Sequence, residues 1–196
     1  MRWQVLAAVA TALLSGCGTV ALPSPAETAP LFRRIDARVG TVYTAAARET
    51  IIATPVLRIE VGKTSVARFE QAFAAMFSEA VELPDWPPWR EGVIGVNGVI
   101  ELERADVDLA LGNDTNRPDV VSASFRVCLY EPNGATVRCW SPSVQLRHQR
   151  GLFECLDHRS CFVPMTEAAI REATARFLVE AESDPALREW AGRIGR

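Results

Sequence analysis

An apolar run too short to cross a membrane constrains what the rest of this chain can be. Residues 3–14 are apolar apart from Gln4 and Thr11; Arg2 precedes them, and the small residues Ser15 and Gly16 follow before Cys17. A spanning helix needs about 20 apolar residues. Residues 1–16 therefore read as a cleaved export signal rather than an anchor. Residues 17–30 carry Pro23, Pro25 and Pro30 with small residues between them. That composition predicts a semi-extended flexible tether. Residues 31–196 are then expected to form a single domain, long enough to bury a sizeable core.

Export frames the charge and the cysteines. The chain carries a net charge of −3, or −4 once Arg2 is removed, and Lys63 is the sole lysine among 21 basic residues. A mildly acidic chain with no basic run lacks the electrostatic footprint of a nucleic-acid binder. Cys128, Cys139, Cys155 and Cys161 remain after Cys17. An even count in an exported chain favours two disulfides.

The hydrophobic periodicities order the domain. Residues 32–43 and 50–61 contain short apolar runs suited to strands, with Val56, Ile59 and Val61 the clearest. Val66, Phe69, Phe73, Met76, Phe77 and Ala80 recur at three- and four-residue steps, which predicts a helix with one buried face and Arg68 turned away from it. Gly62-Lys63-Thr64 at its start has the local look of a phosphate loop, but Leu57 stands where that motif needs a glycine. The expectation is an ordinary turn with a Thr or Ser helix cap. Residues 81–83 suit a short strand. Trp86 and Trp89 follow on a proline-stiffened loop, either as a partner-binding ridge or folded back over a core edge.

Residues 99–111 predict a long strand whose period-2 pattern changes phase. Ile100 and Leu102 share one parity, and Val107, Leu109 and Leu111 the other. A bulge near Arg104-Ala105 reconciles them and leaves Glu101, Glu103, Asp106 and Asp108 facing solvent. A calcium loop is not expected from these carboxylates, because Leu111 occupies the position its glycine would need. A turn over residues 112–118 leads to a strand over 120–130, a turn at Glu131-Pro132-Asn133-Gly134, a return strand over 135–140 and a further strand over 143–148.

The turn residues predict a three-residue loop with a left-handed glycine. Its register sets Leu129 opposite Val137 and Val127 opposite Cys139, and it leaves Cys128 and Cys139 on opposite faces. A tighter loop would set them opposite each other but needs an amide that Pro132 lacks. Connectivity therefore stays open. Cys155–Cys161 is the favoured single bridge because it closes a short loop, and Cys128–Cys139 would then pair after local adjustment.

Residues 151–164 read as a loop. In it Cys155, His158 and Cys161 stand at equal three-residue spacing, enough for three metal ligands. An oxidising compartment and the lack of a fourth ligand favour disulfides instead, so no metal and no cofactor are expected. His148 and His158 are the only histidines, and neither adjoins a nucleophile motif. Thr166 is expected to cap a helix to about Glu182, burying Ala169, Ala173, Phe177 and either Leu178 or Val179. Asp184 or Ser183 caps a last helix with Pro185 in its first turn and Leu187, Trp190 and Ile194 inward. The order predicts an α+β fold, a mainly antiparallel sheet with helices packed on one face.

Leu14-Ser15-Gly16-Cys17 resembles the lipobox of bacterial lipoproteins. The resemblance implies a diacylglyceryl thioether on Cys17, cleavage before it and acylation of the new amine, with palmitate-type chains holding the protein to a membrane. Gly18 rather than Asp after the cysteine implies the outer membrane, facing the periplasm. With this motif, the element order resembles small Gram-negative envelope lipoproteins: the YajG-like proteins, the LPS-assembly lipoprotein and the auxiliary lipoproteins of ABC-type transporters. That implies a non-catalytic accessory or scaffold component with envelope-protein partners. The alternatives are a carrier for lipid or another apolar ligand, and a periplasmic hydrolase built on His148 or His158.

Overall fold

The computed structural model describes residues 19–22, 33–54, 57–84, 95–112, 117–148 and 158–195. The strands are β1 (Thr19–Ala21), β2 (Ile35–Tyr43), β3 (Ile51–Ala53), β4 (Arg58–Glu60), β5 (Phe77–Glu82), β6 (Gly98–Ala110), β7 (Asp119–Tyr130), β8 (Thr136–Trp140) and β9 (Ser143–His148). The helices are α1 (Ala45–Arg48), α2 (Gly62–Met76), α3 (His158–Ser183) and α4 (Pro185–Ile194). The main sheet runs β5-β2-β6-β7-β8, with β9 also on β7, and a small sheet runs β1-β4-β3. The fold is α+β and the main sheet mainly antiparallel, with β2 running parallel to both β5 and β6.

Strands β8 and β9 behave as one strand interrupted at Ser141-Pro142. Val127 faces Trp140 and Ser124 faces Ser143 in one continuous register. Between them the Phe125 amide still donates to the Pro142 carbonyl at 3.0 Å. Proline can accept there but cannot donate, so it sits where the return strand breaks.

The helical layer covers the face carrying Ile100, Leu102, Phe125, Val127 and Leu129, all at most 3% exposed. Phe69 of α2 lies 5.0 Å from the Phe125 ring and 5.6 Å from Phe177 of α3. Phe177 also meets Phe73 and Trp140 edge-on. These rings fill the space between sheet and helices. Each fully buried side chain of this size contributes about 1.5–3 kcal/mol from removal of apolar surface alone, with ring geometry adding to it.

The phase change in β6 is a bulge. Leu102 pairs with Val127 but Arg104 pairs with Arg126, so Glu103 is the extra residue, one place before the expected site. Glu103 accepts from Arg126 Nε at 2.6 Å and from the Tyr130 hydroxyl. Glu101 departs from expectation. It is only 4% exposed and pairs with Cys128 on the far face of the sheet, where Val42, Val99 and Tyr130 are also buried. Alternation put it on the right face, but that face is covered here.

Four other expectations fail locally. Helix α2 ends at Met76, and Phe77 and Ala80 belong to β5, because Phe77 turns extended at the helix C-cap. No side chain caps α2: Val61 is its N-cap, and Thr64 and Ser65 are buried inside it. The Val61 and Gly62 amides donate instead to the Thr50 carbonyl at 3.1 and 3.0 Å, and the helix start lies so close to α1 that a Cβ on Gly62 would stand 2.1 Å from the Arg48 carbonyl oxygen. Arg68 is buried and paired with Glu167 of α3 at 3.2 Å, a partner 99 residues away that no local pattern reveals. Helix α3 starts at His158, not at Thr166, and runs through Pro164. In its early turns Cys161 is disulfide-bonded and Phe162 is buried in the core at 1% exposure. Thr166 is fully buried mid-helix.

The N-terminal segment also differs. Thr19–Ala21, expected within the tether, pair in parallel with β4, and Leu22 is buried in the main core at 8% exposure. The C-terminal reading holds. The Asp184 carboxylate accepts from the Ala186 and Leu187 amides as N-cap of α4, Pro185 opens the helix, and Leu187 and Trp190 are buried.

Candidate functional site

The β7–β8 hairpin decides where the cysteines and Trp140 go. Its turn is the expected one: the Glu131 carbonyl accepts from Gly134, Glu131 pairs with Ala135, and Gly134 has φ 84°. A second irregularity then overturns the expected register. Tyr130 pairs with Thr136 but Leu129 pairs with Arg138, so Val137 is an extra residue in β8. The bulge brings Cys128 opposite Cys139, with Cα atoms 4.1 Å apart, and the two are disulfide-bonded. It also places Trp140 rather than Cys139 on the core face beside Val127. A buried indole removes far more apolar surface from water than a cysteine does, which favours the bulged register.

Trp140 and Arg138 then converge on one carboxylate. Asp184 Oδ2 accepts from Trp140 Nε1 at 3.2 Å and lies 2.9 Å from Arg138 Nε. Asp184 is 8% exposed, so three elements (β8, the α3–α4 junction and the first turn of α4) meet on one nearly buried anion. Sequence reasoning found Asp184 as a cap. It missed the two β8 donors because their direction depends on the Val137 bulge.

Three clefts are lined by described residues. One of about 500 Å³ lies where β2 begins against the α3–α4 junction, with Arg33, Arg34 and Arg188 around Ile35, Leu187 and neighbouring residues. Arg34 is committed to the Phe77 and Ser78 carbonyls and Arg188 to the Ser183 carbonyl. A second, about 370 Å³, lies among Arg48, Glu49, Thr50, Ile51, Glu60 and Lys63. A third of about 300 Å³ lies between the β7–β8 hairpin and α4. None of the three contains a histidine. His148 faces Asp119 across β9 and β7, and Asp119 is fully buried with Oδ1 accepting from the Gly112 amide.

Of the other predicted site residues, Cys17, Trp86, Trp89 and Cys155 lie outside the described residues. Cys161 is disulfide-bonded, so its sulfur is not a thiolate ligand. Among the described residues, no cluster of His, Cys, Asp and Glu could hold a metal, and no helix is long and apolar enough to cross a membrane.

Two groups near α1 have shifted acidities. Burial, opposed by a hydrogen bond to Thr41, pushes the Tyr43 phenol well above its usual range. Burial, then the Glu82 charge, raises the Glu70 carboxyl above its ordinary value, with Arg48 acting the other way.

The architecture defines the class: a sheet-and-helix α+β domain of a kind found in solved bacterial proteins. No family model and no curated protein matches the chain. Among solved structures, it is similar to a Xanthomonas campestris protein of family-model DUF330, with TM-score 0.53 and 8% identity over 82% of this chain and 92% of that one. It is also similar to a neuraminyllactose-binding hemagglutinin homolog from Helicobacter pylori, with TM-score 0.52 and 12% identity over 90% and 98%. A minor lipoprotein from Acinetobacter baumannii matches at TM-score 0.49 and 7% identity over 76% and 92%. At these identities the likeness is one of fold.

Proposed function

We propose that this chain is a membrane-anchored envelope lipoprotein, a non-catalytic accessory or scaffold component of an envelope assembly or transport system. The observation that carries the proposal is Leu14-Ser15-Gly16-Cys17, at the end of a short apolar export run and ahead of a folded domain. Acyl chains on Cys17 would hold the domain to the outer membrane, facing the periplasm, with Gly18 rather than Asp as the sorting residue. The α+β fold shared with the DUF330 protein is compatible with this reading.

Scaffolding is favoured over carriage of an apolar ligand by what fills the domain. The layer between sheet and helices is taken up by Phe69, Phe73, Phe125, Phe177 and Trp140 in mutual contact. Partners would be envelope proteins, with Trp86 and Trp89 the first residues to probe. The test has two arms. Radiolabelled palmitate should enter the wild-type chain and not Cys17→Ser, which should also cease to sediment with envelopes. Mass spectrometry of organic extracts from the purified soluble domain should find no stoichiometric lipid. A stoichiometric lipid would replace the scaffold by a carrier.

A further inference from the structure

The first described strand, β1, begins at Thr19, two residues after Cys17, the cysteine proposed as the anchor. It is built into the domain: Thr19 pairs with Arg58, Val20 with Ile59 and Ala21 with Glu60. Leu22 then enters the main core. Since consecutive Cα atoms are about 3.8 Å apart, the Cys17 Cα can lie no more than about 8 Å from that of Thr19. The polar layer on each side of a bilayer is about 5–8 Å thick. An acyl-bearing sulfur at the hydrocarbon boundary therefore sets Thr19 within or against the headgroups.

What accompanies Thr19 is defined by the small sheet. Arg58 pairs with Thr19 on one side and with Ala53 on the other, so the three residues form one row. The β3–β4 turn beyond that row is closed by the Thr54 amide donating to the Leu57 carbonyl at 2.8 Å and by the Leu57 amide donating to Thr54 Oγ1 at 3.0 Å. Arg58 is exposed and makes no ion pair with a described residue. An exposed cation at the start of β4, with no described carboxylate engaging it, is suited to a phosphate-rich surface.

We propose that the end of the small sheet at Ala53, Thr54 and Arg58 rests directly on bilayer headgroups, with Arg58 contacting lipid phosphate. The domain is thus seated on the membrane in one orientation rather than swinging on a tether. The proposal rests on the lipid anchor at Cys17.

The test uses the full, processed chain in vesicles of phosphatidylethanolamine and phosphatidylglycerol. A photoreactive benzoylphenylalanine replaces Ala53 in one sample and Asn133, in the β7–β8 hairpin, in another. The phospholipid adduct at position 53 should exceed that at 133 by about tenfold. It should fall severalfold with Arg58→Glu, and be lost when ten Gly/Ser residues are inserted between Gly18 and Thr19. Equal adducts at 53 and 133, in a chain that takes up palmitate and sediments with vesicles, would overturn the seating while the anchor stands. An adduct unchanged by Arg58→Glu would remove Arg58 from the contact. No palmitate uptake would overturn the anchor and the seating together.

Discussion

Trp140 donates its indole N–H to Asp184 across 44 residues of sequence, 3.2 Å from Nε1 to Oδ2. The same carboxylate caps α4 and pairs with Arg138. One anion thus joins the sheet edge to the C-terminal helix. Asp184→Ala removes the cap, worth about 1 kcal/mol, and strands a buried indole donor, worth about 1–3 kcal/mol. The expected loss is about 2–4 kcal/mol in urea unfolding. Asp184→Asn keeps a capping oxygen and should lose less than Ala.

The Cys128–Cys139 bridge closes a short hairpin across a bulged register. Cross-links of this loop size contribute about 2–3 kcal/mol in the chain-entropy account. Cys128→Ala with Cys139→Ala should lower stability by that amount and free the hairpin to slip by one residue at Val137. Loss of the hydrogen bond from Trp140, read as a shifted indole NMR resonance, would report the slip. An unchanged resonance would show that Trp140 packing alone holds the register.

Two helical glycines make opposite predictions. A Cβ at Gly62 meets the Arg48 carbonyl at 2.1 Å, whereas at Gly192 nothing lies within 4 Å. Gly62→Ala must push α2 away from α1 and should cost about 2 kcal/mol or more. Gly192→Ala should stabilise α4 by about 0.5–1 kcal/mol through the entropy of the unfolded chain. Thermal melts of the two variants check both signs.

Phe177 touches Phe69, Phe73 and Trp140 at once. Phe177→Ala opens a cavity between helices and sheet and should cost about 3–5 kcal/mol. Phe177→Leu should recover most of it. A loss below 1 kcal/mol on alanine substitution would mean that the layer collapses to fill the gap.

The raised Glu70 carboxyl carries a pH signature. Its folded-state acidity is shifted upward, first by burial and then by Glu82. The folded state therefore favours the protonated form. That contribution is complete below the ordinary value of 4.5 and is lost as pH rises through the higher folded-state value. Glu70→Gln should match the wild type in acid and be the more stable of the two at neutral pH. Urea midpoints at the two pH values decide it.

Local physics made much of this protein legible. The β6 phase change announced a bulge because side chains alternate with a period of two, so one extra residue must switch faces. The Glu131–Gly134 turn and the Asp184-Pro185 helix start were readable because caps and turns are settled within four residues. The residues that escaped were those decided by partners far along the chain. Val137 bulges so that Trp140 can bury its ring beside Phe177, and only that shift brings Cys128 opposite Cys139. Arg68 is drawn inward by Glu167, and Glu101 is covered on a face where alternation alone predicts water. Leu22 joins the core and Thr19–Ala21 pair with β4 although their composition reads as tether. In each case burial against a distant element outweighs the local pattern, and that balance exists only once the chain has folded.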